Sequence, residues 1–368
     1  MLVGQLRLKS KSKGMKKHRP QLEIERAIDA YVSQHPNGTP YHQSGWLAAI
    51  RQAYGHTGYW LVADEEGESG GIRGILPICE VKTPFSRKPG LASLPFCDIG
   101  GPLADTPELE QRLVNEARAQ MPLQHVKGLE VRMPGCNPEI ESGFTAQKVQ
   151  MLAQLPESSE ALIASYKPKL RSQIRKAEKN GLTGKLLEGP EGVEAFYHVY
   201  SANMKRLGSP AHSKEWFYSI ARNYQGNLVI GLVYKETEVV GAGIVLFNGS
   251  NAVIPWASTL AEYNPLAPNM LLYWQLLAYA CDRGCIQFDF GRSTYGEGTY
   301  RFKKQWGAEP QLLQWQRWGR NGQAESSAKA GTNGLGQKLR PLVEKAWQHL
   351  PQPITDSLGP RLRRYITL

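Results

Sequence analysis

Residues 289–307 read Asp-Phe-Gly-Arg-Ser-Thr-Tyr-Gly-Glu-Gly-Thr-Tyr-Arg-Phe-Lys-Lys-Gln-Trp-Gly, the stretch of this chain richest in groups that could do chemistry. The apolar positions Ile286, Phe288 and Phe290 predict a short strand. That strand opens into a loop with Gly291, Gly296 and Gly298, surrounded by Arg292, Arg301, Lys303 and Lys304. Glycine lets backbone N–H groups approach an anion, and Arg and Lys supply the opposing charge, so the expected chemistry is capture of a phosphate-bearing group. The stretch matches neither G-x-G-x-x-G nor a P-loop, which excludes the common nucleotide motifs here. A second cationic group lies at Arg171, Arg175, Lys176 and Lys179. Arg171, Arg175 and Lys179 are four apart, so a helix aligns them in one stripe that suits a diphosphate or an RNA backbone; the competing reading is a solvated helix face.

These groups need elements to hold them. With 368 residues the chain is too long for one ordinary core, and two domains are expected. Residues 1–20 read as a flexible basic arm, 21–158 as a first α/β domain, 159–320 as a second, and 321–368 as a linker with a C-terminal amphipathic helix. Helices are predicted over 24–32, 44–54 and 107–120, and strands over 59–63, 72–78 and 129–132, with an acidic turn before residue 72. The second half has helical material over 160–180 ending at Gly181, a helix over 191–207, and paired strands over 228–234 and 239–247. A further helix over 269–283 precedes the strand at 286–290. Each half reads helix, helix, strand, strand, helix, strand, which implies a duplicated α/β (α+β) fold.

The net charge of +11 and pI of about 9.3 favour polyanionic partners: nucleic acid, anionic lipid or phosphorylated substrates. The five cysteines form no C-x-x-C pair, and zinc spacing is absent, so core thiols and a reducing compartment are expected, with no metal. No apolar leader or long apolar run is present, which points to the cytoplasm. The helix over 335–350 and the terminal Arg361, Arg363 and Arg364 suit either packing on the chain's own domain or contact with the inner face of an anionic membrane.

The run from Tyr166 to Gly181 resembles the R-x-x-I-R-K-A-x-K-x-G helix of the FemAB group of acyltransferases. Residues 289–307 resemble that group's D-F-G-R-S…G-x-Y-x-F-K-x-x-W-G motif. Arg206-Leu207-Gly208-Ser209-Pro210, the helix start at Ala267–Trp274, His42–Trp46 and Leu94–Gly101 are similar too, in order, over residues 25–318. The subgroup most alike is the FemAB-related proteins of exopolysaccharide and exosortase gene clusters. The resemblance implies two tandem GNAT-like domains, each a mixed sheet flanked by helices, and acyl or aminoacyl transfer to an amine of a phosphorylated or nucleotide-linked envelope precursor. It implies acyl-CoA or aminoacyl-tRNA as co-substrate, no resident cofactor, and tRNA as a partner in the second case. Val239–Gly243 lacks the Gln or Arg that starts the usual GNAT pyrophosphate turn, which counts against the CoA mode.

No G-x-S-x-G elbow or Cys/His signature is present, so direct attack of the acceptor is expected. Lys303, matching the motif lysine, is expected to stabilise charge near the transferred group, against the plainer reading of a surface lysine beside Phe302. Asp289 is expected to orient Arg292 rather than act as a base, because a carboxylate among cations stays ionised. Tyr300 and Tyr263 could offer hydroxyls to the reacting centre, and His212 a base. Arg292, Arg171, Arg175, Asp98, Tyr263 and Asn269 complete the expected binding set. The reading from another class is a non-catalytic protein that binds nucleic acid or an anionic polymer.

Overall fold

The computed structural model describes residues 6–7, 21–64, 71–83, 86–120, 126–135, 147–325 and 334–367. The rest of the predicted basic arm, the acidic turn, Cys136 and most of the predicted linker lie outside them. The chain forms two compact units, one of residues 1–134, 313–330 and 367–368, the other of 135–312 and 331–366.

In the first unit β1 (Leu6–Arg7) is followed by α1 (Gln21–Gln34), α2 (Ser44–Tyr54), β2 (Thr57–Asp64), β3 (Ile72–Thr83), β4 (Ser86–Ala92), β5 (Leu103–Ala104), α3 (Pro107–Gln120) and β6 (Gly128–Pro134). β2, β3 and β4 form an antiparallel meander, and β6 returns parallel to β4 after α3. β1 pairs parallel with β2, Leu6 opposite Leu61. The motifs His42–Trp46 and Leu94–Gly101 pack on each other: His42 Nε2 bonds to the Gly101 carbonyl (3.2 Å) and Trp46 donates to the Pro95 carbonyl (3.0 Å). A Cβ at Gly101 would stand 2.8 Å from the Arg132 carbonyl, so only glycine allows this approach. Arg132 itself is buried, with its guanidinium 4.7 Å from the Trp315 ring and bonded to the carbonyls of Cys97 and Thr367.

The second unit contains β7 (Lys148–Gln154), α4 (Ser159–Ser165), α5 (Pro168–Lys179), β8 (Leu182–Leu187), α6 (Val193–Arg206), α7 (Lys214–Asn223), β9 (Leu228–Lys235), β10 (Glu238–Asn248), β11 (Asn251–Thr259), α8 (Pro268–Asp282), β12 (Gln287–Thr294), α9 (Gly298–Lys304), β13 (Glu309–Gly319), α10 (Gly334–His349) and α11 (Gln352–Arg363). Its strand order is β13-β7-β12-β11-β10-β9-β8. β9, β10 and β11 form a second meander, and β12 returns parallel to β11 after α8. The meander, helix and parallel return of the first unit are thereby repeated, as the duplicated grammar predicts.

The unit boundary falls at Pro134/Gly135 rather than at 158/159. β7 follows β6 in the chain, but its bonds go to β12 and to the Glu309–Leu312 end of β13. The remainder of β13 pairs with β6 in the first unit, Leu313 opposite Pro134. The helical material predicted over 160–180 forms two helices. Tyr166 and Lys167 are extended and Pro168 starts α5, because the residue before proline avoids the helical region.

Candidate active site

Strand β12 presents Phe288 and Phe290 to the core of the second unit. The alternation breaks at Gly291, whose φ is +71°, and the register against β7 shifts between Asp289 and Arg292. Residues 291–294 are therefore strand with a bulge, not the open loop expected, and the segment after them turns into α9. Glycine is needed at 291 because an L side chain rarely tolerates that φ. Asp289 holds the bulge from one side: its Oδ1 accepts the Gly291 N–H at 2.7 Å, and its Oδ2 accepts from Gln150 Nε2 at 2.6 Å. Lys303 holds it from the other, donating from Nζ to the carbonyls of Gly291 (3.0 Å) and Arg292 (2.9 Å). Lys303 is 8% exposed and Asp289 9%, so both charges lie inside the fold and their bonds offset the cost of desolvation. The plainer reading of Lys303 as a surface residue is thus excluded.

The bulge sits where two parallel strands part. β11 and β12 pair only over Asn251–Val253 with Gln287–Asp289, after which each continues without the other, β11 to Thr259 and β12 to Thr294. Parting of parallel strands at their C-terminal ends opens a crevice whose walls carry backbone groups available to a ligand. Asp289 is the last residue of β12 paired with β11, Gly291 and Arg292 follow it in the strand, and Lys303 reaches their carbonyls from α9. Arg292 is half-buried.

α9 places Tyr300 against Tyr295, ring centroids 4.7 Å apart; burial and the hydrogen bond with Tyr295 push its phenol upward in pKa. α5 buries Leu170, Ile174 and Ala177 at helical spacing and leaves Arg175, Lys176 and Lys179 exposed, with Arg171 half-buried. The two motifs meet through their aromatic residues. Tyr166, just before α5, stands edge-on to Trp306, just after α9, with ring centroids 5.5 Å apart. Asn180, at the far end of α5, donates to the Leu266 carbonyl at 3.2 Å.

Other expected residues are placed elsewhere. Tyr263 lies in the turn over Ala261–Leu266 and donates to Glu238 at 2.6 Å, a bond that holds its phenol above the usual pKa. Asn269 is the second residue of α8, after Ala267, which has a φ of +64°. Asp98 belongs to the first unit, where its carbonyl accepts from Trp315 at 3.0 Å. His212 is buried. Desolvation and Arg363, which donates to its Nε2 at 3.0 Å, push its pKa well below the ordinary value, so it is a structural residue rather than a base. Val239–Gly243 lies within β10; the turn after the fourth strand from the β8 edge is 260–267, which has no glycine. Cys281 and Cys285 are buried free thiols, both pushed up to about 11 by burial. Among the described residues no cluster of His, Cys, Asp or Glu is placed to hold a metal.

Sequence reading missed Gln150, which reaches Asp289 across 139 positions, and Lys148, which donates to Thr294 at 2.6 Å. The available signal was the alternation of Val149, Met151 and Ala153, all buried, which marks β7.

Residues 164–304 match the model of the acetyltransferase (GNAT) domain family. The chain is 19% identical, over 76% of its length and 87% of the relative, to a Lipid II:glycine glycyltransferase of Staphylococcus aureus (strain bovine RF122 / ET3-1). It superposes on the crystal structure of FemX with a TM-score of 0.62 at 17% identity, covering 81% of this chain and 95% of that one. A conserved protein of unknown function from Bacteroides thetaiotaomicron gives a TM-score of 0.51 at 10% identity, over 80% and 96% of the two chains. The family match takes in α5, the fork and the second motif as far as Lys304, and stops two residues short of Trp306. The chain is therefore an acyltransferase similar to the FemAB group, with residues 164–304 matching the acetyltransferase (GNAT) domain family.

Proposed function

We propose that this protein transfers an aminoacyl group from aminoacyl-tRNA to an amine of a peptidoglycan or exopolysaccharide precursor bearing phosphate. The observation that carries this is the fork between β11 and β12, with a buried lysine and a glycine bulge at its mouth. An acceptor amine attacks the ester carbonyl, negative charge develops on the carbonyl oxygen, and a fixed cation beside that oxygen lowers the barrier; the ester C–O bond then breaks, and the ribose hydroxyl of the tRNA leaves carrying the proton the amine gives up. Lys303 supplies the cation. Asp289 and Gln150 keep the bulge in register, and no covalent enzyme intermediate is needed because positioning alone supplies much of the rate. Arg292, Arg171 and Arg175 bind phosphate, and Tyr300 directs a hydroxyl to the reacting group.

Aminoacyl-tRNA is favoured over acyl-CoA by two features. The turn at 260–267 lacks the glycines that let backbone amides cradle a pyrophosphate, and the charge of +11 suits a polyanionic donor. The curated relative is named for glycyl transfer to lipid II, a chemistry of the same class.

The test is transfer of labelled glycine from glycyl-tRNA, and of labelled acetyl from acetyl-CoA, to a lipid-linked or nucleotide-linked muramyl pentapeptide. Transfer from tRNA, abolished in Lys303→Met, supports the reading. Transfer from acetyl-CoA alone replaces the donor. No transfer from either, with salt-sensitive RNA binding, returns the protein to the class of binding modules.

A further inference from the structure

The C-terminal helices α10 and α11 are fastened to the second unit at a few points. Trp347 and Thr355 are buried, and Gly359 lies so close to Ala211 that a Cβ would stand 3.1 Å from its backbone nitrogen. Gln348 donates to the Arg206 carbonyl at 2.9 Å, and Arg363 to buried His212 at 3.0 Å. A Cβ at Gly208 would meet the backbone of Glu344 at 2.8 Å, so the Leu207–Pro210 turn is shaped to seat α10.

Among the described residues both helices also expose apolar side chains. Leu342 is 65% exposed and Val343 62%, and on α11 Ile354, Leu358 and Leu362 are exposed, followed by Ile366. Ile354, Leu358 and Leu362 stand four apart, each turned about 40° from the last, so they form a single stripe. Arg361 falls within about 20° of Ile354 on the same wheel and is exposed, as is Lys345 beside Leu342. Residues 340–367 carry five basic side chains (Arg340, Lys345, Arg361, Arg363, Arg364) against two acidic ones (Glu344, Asp356); Arg363 is engaged by His212 and Arg340 by Glu344, which leaves exposed Lys345 and Arg361 beside the apolar residues and favours an anionic partner.

We propose that α10 and α11 form a docking surface for an anionic lipid bilayer, with the apolar stripe inserted at the level of the headgroups and Lys345 and Arg361 on their phosphates. Exposed large aliphatic side chains with cations beside them on two helices have the composition of an interfacial anchor. Among the described residues no helix is long and apolar enough to cross a membrane, so these helices would lie on its surface. The surface is argued from these two helices alone, and lipid binding is measured separately from acyl transfer.

The test is co-sedimentation of the full chain with vesicles of phosphatidylcholine alone or with about a third phosphatidylserine. Wild type is expected to partition onto the anionic vesicles, less so at high salt, and only weakly onto neutral ones. Leu342→Ser, Val343→Ser, Leu358→Ser and Leu362→Ser combined should reduce partition by about tenfold or more, and Lys345→Gln with Arg361→Gln should remove the preference for anionic lipid. All six positions are exposed, so these variants should melt with wild type. Absence of wild-type binding to anionic vesicles overturns the proposal, as does undiminished binding of the serine variant. A wild-type dimer that the serine variant converts to monomer also overturns it, because the face would then be covered by a second copy.

Discussion

Lys303 has two tasks that substitution can separate. Its ammonium pins the carbonyls of Gly291 and Arg292, and it is the cation proposed for the developing oxyanion. Lys303→Met should lower transfer by about 10²-fold or more, the loss expected when an oxyanion donor is removed. A folded variant with unchanged turnover would end that assignment. Gly291→Ala forces an L side chain to φ +71° and should cost about 1–2 kcal/mol, read as a lower urea midpoint. A different residue governs acid stability. His42 is fully buried, with Nε2 bonded to the Gly101 carbonyl and Nδ1 to Thr39, and desolvation lowers its pKa to about 4. Between pH 6.5 and 4 the unfolded chain therefore takes up a proton that the native state refuses. Stability should fall as pH drops through this window, by about 3 kcal/mol in all, and stay level below it with respect to this group. Urea titrations of His42→Gln across the window should show a shallower pH slope than wild type; an identical slope would exclude His42 as the source.

Among the elements, α5 and β12 were legible because each has a period. Leu170, Ile174 and Ala177 mark a helix face, and Phe288 and Phe290 a strand face. Helices α2 and α3 match the sequence reading end to end. The short and shared elements were not legible. α9 has seven residues and begins among glycines, so it reads as loop, and β13 serves both units, which no local pattern declares. α11 was also missed, because Pro353 and Pro360 break its pattern; it holds through tertiary contacts instead. Arg363→Ala should therefore loosen α11 by leaving buried His212 without that donor, at about 1–3 kcal/mol. Limited proteolysis should cut within residues 350–367 faster than in wild type; unchanged cleavage would show that apolar packing alone secures the helix.

For the whole molecule, the charge of +11 predicts donor binding governed by salt. If tRNA is the donor and about six phosphates are engaged, affinity should fall about 10³-fold between roughly 50 and 200 mM salt. A flat salt profile would point to a donor recognised without its backbone. The repeated α/β grammar, the two cationic motifs and the basic balance are readable without coordinates, because periodicity and charge are properties of neighbours along the chain. How the motifs act on each other emerges only in the folded molecule. Tyr166 meets Trp306, Gln150 reaches Asp289 across 139 positions, and β11 leaves β12 where the bulge begins. Such pairings depend on which strands share a sheet, and a strand's neighbours are set by long-range packing rather than by its own residues. Burial was likewise beyond the sequence: Lys303 reads there as a site cation or a surface lysine, and only the fold turns it inward, through α9, onto two carbonyls.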